Sequence, residues 1–109
     1  MISHDEARAL ALALDDAFEA DHHGRPSFRV NGKIFATLWD AEHMNVMLEH
    51  DGILTAVQAH PDCCAERWWG KRLSAVSVDL TRVARPVLAD LLADAWERRA
   101  AARRRGGPA

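Results

Sequence analysis

The stretch Ser27-Phe28-Arg29-Val30-Asn31-Gly32-Lys33-Ile34-Phe35-Ala36-Thr37-Leu38-Trp39 decides how this chain folds. Two runs rich in β-branched and aromatic residues flank Asn31-Gly32, and an Asn-Gly pair tolerates the positive φ angles of a two-residue type I′ turn. A tight β-hairpin is predicted. The turn pairs Val30 with Lys33, Arg29 with Ile34 and Phe28 with Phe35, so Phe28, Val30 and Phe35 share a face with Trp39. That face is assigned to the core, and Arg29 to the opposite, wet one.

Working outward, Ser3 and Glu6 form a capping box, and Ala7, Leu10, Ala11 and Leu14 recur at helical spacing, which predicts a first helix over residues 4 to 14. Phe18 to His23 alternate as a strand does, with His22 and His23 on opposite faces, and Gly24-Arg25-Pro26 turns the chain. Beyond the hairpin, Met44, Val46 and Leu48 alternate with Asn45, Met47 and Glu49 as a further strand. Asp51 caps a short helix carrying Ile53, Leu54 and Val57 on one side, and His60-Pro61 ends it. Residues 61 to 72 read as an irregular connection or edge segment. Val76, Val78 and Leu80 then oppose Ala75, Ser77 and Asp79 in a late strand. Pro86 suits the first turn of a last helix, along which Leu88, Leu91, Leu92, Ala95 and Trp96 trace an apolar stripe to about residue 104. The order is helix, three or four strands, helix, one or two strands, helix. An antiparallel sheet can leave one face wet, so a two-layer α+β fold with helices on one face is the economical solution.

At 109 residues and 49% apolar, residues 1 to 109 are expected to form a single domain that buries roughly two-thirds of its unfolded surface, with residues 105 to 109 as a frayed tail. No apolar run is long enough for a membrane span, and Asp5 and Glu6 stand where a secretory signal carries lysines, so the expected setting is cytoplasmic and away from membranes. Cys63 and Cys64 are adjacent, a spacing that strains a disulfide. Charge is divided: residues 1 to 66 hold 4 basic and 12 acidic side chains, whereas residues 67 to 109 hold 10 and 4. Arg98, Arg99, Arg103, Arg104 and Arg105 crowd the end of the last helix, where they complement its dipole.

Residues 24 to 39, GRPSFRVNGKIFATLW, resemble the signature hairpin of the MmcQ/YjbR family of small bacterial proteins. The similarity extends to His60-Pro61-Asp62, Trp69-Gly70, Val78-Asp79-Leu80 and a last helix with Ala95-Trp96. The resemblance implies a two-layer fold similar to frataxin and to type III secretion chaperones. It also implies DNA binding through a double wing of hairpins, although fold alone does not carry function.

The residues themselves show no catalytic constellation. A Gly-x-Ser-x-Gly elbow, a Gly-x-Gly-x-x-Gly loop and a Walker pattern are all missing, so the chain is expected to be non-catalytic and to need no cofactor. Six histidines and two cysteines invite a metal reading, yet His60-x2-Cys63 supplies half a zinc site at best, and none is predicted. Two binding readings remain, either compatible with a monomer or a weak dimer. For DNA, phosphates would be met by Arg25, Arg29 and Lys33 on the hairpin and by Lys71 and Arg72 near Trp68 and Trp69. For a small planar or apolar ligand or a peptide, Trp39, Trp68 and Trp69, with Trp96, would line a groove between sheet and helix.

Overall fold

In the computed structural model, which describes residues 1 to 105 and side chains as far as Ala101, three helices lie on one face of a six-stranded antiparallel sheet. The chain runs α1 (His4–Leu12), β1 (Phe18–His22), β2 (Arg25–Val30), β3 (Lys33–Leu38), β4 (His43–Val46), α2 (His50–Ala59), β5 (Cys64–Trp69), β6 (Arg72–Asp79) and α3 (Arg85–Arg105). The sheet order is β1-β2-β3-β4-β6-β5. Helix α3 packs across β2, β3 and β4, α2 covers β5 and β6, and α1 leans on α3. The 105 to 109 tail lies outside the described residues beyond Arg105, and no helix among those described is long and apolar enough to cross a membrane.

The turns follow from residue type. Asn31 and Gly32 have φ of 58° and 73°, as the Asn-Gly pair predicts, and His23 and Gly24 have φ of 54° and 85°, so these two tight hairpins turn on left-handed residues. The β2–β3 ladder departs from the expected register. Val30 faces Lys33 and Arg29 faces Ile34, but Phe28 pairs with Ala36, because a bulge inserts Phe35 as an extra residue. Phe28, Phe35 and Ala36 are all fully buried in the core, and the parity of the rest of β3 is reversed. Trp39 is consequently not on the phenylalanine face.

Other departures have equally local causes. Residues 61 to 72 are ordered as strand β5 and a turn through Gly70, whose φ is 62°. A second bulge, between Arg67 and Trp68, masks their alternation. Helix α2 begins earlier than expected, with Glu49 at its N-cap instead of Asp51 and no side-chain cap; Ile53 and Ala56 face inward, while Leu54 stays exposed. Helix α1 stops at Leu12, and its capping box is present: Ser3 Oγ accepts from the Glu6 N–H, and Glu6 Oε1 accepts from the Ser3 N–H. Apolar β-strand positions and the α3 stripe of Leu88, Leu91, Leu92 and Ala95 form one continuous core between the layers.

Candidate functional site

Because antiparallel partners share a face, the ladder can be read as rows of side chains across the sheet. The row Glu19, Phe28, Ala36, Val46, Val76 and Glu66 lies on the helix side, with Phe28, Ala36, Val46 and Val76 fully buried. The next row belongs to the open side and crosses all six strands as Ala20, Ser27, Thr37, Asn45, Ser77 and Ala65. Every member is small or polar. Ser27, Thr37, Asn45 and Ser77 are nevertheless buried, because longer side chains arch over them.

Arg25 and Trp39 form one wall of this trough. Arg25 Nε donates to the Trp39 carbonyl at 2.8 Å, and its guanidinium carbon sits 4.0 Å from the centroid of the Trp39 ring, a cation–π distance. Arg67 starts from β5 opposite Ala75, yet its guanidinium reaches 5.1 Å from the same centroid, which takes it across the short side chains of the row. Trp39 is therefore met by two guanidinium groups that come from β2 on one side of it and from the edge strand β5 on the other. The parity reversal at Phe35 is what delivers it there.

Beside these groups lies a cavity of about 260 Å³ lined by Ile34, Thr37, Trp39, Asn45, Met47 and Trp69, together with Arg25, His22 and His23. Its volume is near the lower end for small-molecule sites. The two histidine rings were expected on opposite faces of a strand. They stand 4.4 Å apart, edge to face, because the strand ends at His22 and the positive φ of His23 turns the chain. Asn45 is fully buried, and neither its Nδ2 nor its Oδ1 has a hydrogen-bond partner among the described residues; Arg67 Nε is in the same condition. Leaving such groups unpaired costs on the order of 1–3 kcal/mol each, so they mark a place where a partner is wanted.

The cations read from the sequence are divided between the two faces. Arg25 and Arg29 lie on the open side, where Arg29 is held by Ser27 Oγ at 3.1 Å and by the Asp21 carbonyl at 3.3 Å. Lys33 pairs with buried Val30, which places it at the helix side, and Lys71 is in the β5–β6 turn. Arg72 lines a separate cleft with Arg98 and Arg99. Arg99 is held near the hairpin by its Nε bond to the Ile34 carbonyl, and burial lowers its pKa.

The tryptophans are likewise separated, and the expected groove between sheet and helix is replaced by the open face. Trp39 and Trp69 line the cavity. Trp68 is 49% exposed and donates to Glu66 Oε1, while Trp96 donates to the Asp15 carbonyl and ties α3 to the chain after α1. Sequence reasoning missed Asn45 and Arg67. The available signal was the alternation of Asn45 between Met44 and Val46, which sets it among Thr37 and Ser77 on the wet face.

Other candidate chemistry is weaker. A larger cavity of about 740 Å³ lies between α2 and α3, with apolar Leu48, Ala56 and Leu91 and an edge of acids such as Asp51, Asp90 and Asp94. Cys63 and Cys64 are buried free thiols 3.9 Å apart, and burial, with Cys63 beside it, pushes the Cys64 pKa up to about 12. A thiol in that state is a poor nucleophile at neutral pH. Among the described residues no group of three or more His, Cys, Asp or Glu could hold a metal ion.

Comparison with known proteins gives a family and a fold. The family model described as YjbR matches residues 12 to 98. The crystal structure of Deinococcus radiodurans protein DR2400, with a DUF419 domain, is similar at a TM-score of 0.72 and 20% identity, covering 88% of this chain and 77% of that one. No curated protein matches the chain in sequence.

Proposed function

The chain belongs to the YjbR family, and on that premise we propose that it is a non-catalytic binding protein whose open sheet face captures a small planar, anionic molecule. The observation that carries this reading is Trp39 flanked by the Arg25 and Arg67 guanidinium groups at 4.0 and 5.1 Å, beside a cavity of about 260 Å³. Trp69 and the rim of the Trp39 ring, with the adjoining cations, offer aromatic contact and charge to one ligand at once. The size of the cavity favours a single small ring system over a drug-sized or peptide ligand.

Contact with DNA is the second reading, favoured by Arg25 and Arg29 sharing the open face. Against it, Lys33 and Arg72 belong to other surfaces, so few of the expected cations meet a phosphate backbone together. Calorimetric and tryptophan-fluorescence titrations with adenosine 5′-monophosphate and with naphthalene-2-sulfonate test the first reading. Both probes are expected to bind, and Arg25→Ala with Trp39→Ala is expected to weaken them by about tenfold, since a half-buried cation–π site carries ~1–2 kcal/mol. Retention of duplex DNA that falls steeply with salt and is lost in Arg29→Glu, with neither small probe bound, would favour the DNA reading instead.

A further inference from the structure

Taking the open-face pocket as the binding site, we propose that Asn45 is its specificity residue and that the ligand presents a hydrogen-bond donor beside an acceptor on the edge of a planar ring, as a nucleobase does. Asn45 lies at the centre of the sheet, between Thr37 of β3 and Ser77 of β6, and lines the cavity. Its carboxamide is fully buried with both ends unpaired. Exchanging Nδ2 and Oδ1 changes nothing here, because either orientation leaves one donor and one acceptor side by side.

The neighbours do not relieve this. Ser27 Oγ donates to the Ala20 carbonyl and accepts from Arg29, so that stretch of the row is already satisfied. Met47, Ile34 and the rings of Trp39 and Trp69 make the remaining walls largely apolar. An Asn side chain in such surroundings is complementary to a bidentate edge, the pairing an asparagine makes with adenine, and a uracil edge meets the same requirement with donor and acceptor exchanged. Arg25 lines the same cavity and calls for an anionic group on the same ligand. A base joined to an anionic group supplies both. The base is carried either by a free nucleotide or by a single strand of nucleic acid, and the chemistry at Asn45 is shared by the two.

Asn45→Leu removes both polar atoms while keeping the number and branching of side-chain heavy atoms, and Asn45→Val offers a β-branched alternative suited to a strand. Binding of adenosine and uridine 5′-monophosphate is compared with that of naphthalene-2-sulfonate, a planar anion without the edge. The wild-type protein is expected to prefer the nucleotides by about tenfold or more, and both variants to lose that preference while retaining naphthalene-2-sulfonate. Tighter binding of a short single-stranded oligonucleotide, abolished by the same variants, assigns the base to a strand; equal or weaker binding assigns it to a free nucleotide. An unchanged preference in folded Asn45→Leu or Asn45→Val overturns the role of Asn45 and leaves the pocket standing. No binding of any probe by the wild type removes the pocket reading, and this inference with it.

Discussion

Asn45 and Arg67 show why single side chains are hard to read from sequence. An asparagine flanked by Met44 and Val46 looks like an ordinary outward position on a half-wet strand. Its isolation becomes visible only when the rows of six strands are aligned and the arch of Arg25, Trp39 and Arg67 is set over it. Arg67 was invisible for a related reason, since the bulge beside it hides the strand it belongs to. The cysteines were legible in part: their adjacency speaks against a disulfide, and their burial leaves both as free thiols. For Cys64 the raised pKa has a defined sign. The folded state retains a proton that the unfolded state gives up near the ordinary thiol value of 9.0, so this group's contribution to stability is fully present below pH 9 and is lost as pH rises toward about 12. Alkaline unfolding of Cys64→Ala is accordingly expected to be less steep above pH 9 than that of the wild type. Iodoacetamide at pH 8 should leave Cys64 unmodified in the folded protein and label it in denaturant, as mass spectrometry would record.

Among the elements, the β2–β3 hairpin was the most legible and its one error the most consequential. Asn31-Gly32 specified the turn, and the first two pairs, Val30 with Lys33 and Arg29 with Ile34, follow from it directly. The bulge at Phe35 has no local sequence mark, because it is set by packing: Phe28, Phe35 and Ala36 can all enter the core only if one residue is left out of the ladder. Replacing Gly32, at φ 73°, by alanine should cost about 1–2 kcal/mol through backbone strain alone, as an Ala Cβ would meet nothing within 4 Å. Chemical denaturation measures this directly. Phe28→Ala, by contrast, empties a fully buried site and should cost about 3–5 kcal/mol. Helix α3 was legible from Pro86 and its leucine stripe, whereas the start of α2 at Glu49 was not, since no side-chain cap marks it.

Across the whole molecule, the sheet separates two environments. Its helix side holds the core and an acid-edged groove between α2 and α3, and its open side gathers Arg25, Arg29 and Arg67 around a trough of small polar residues. The division of charge along the sequence anticipated a polarised surface but not its arrangement, because Arg25 and Arg29 come from the acidic half and share the open face with Arg67 from the basic one. Amide and indole NMR shifts during titration with adenosine 5′-monophosphate test this arrangement most directly. The largest changes are predicted at Ile34, Thr37 and Asn45 and at the indoles of Trp39 and Trp69. Changes confined to α2 and α3, or to the turns around Lys33 and Lys71, would contradict it.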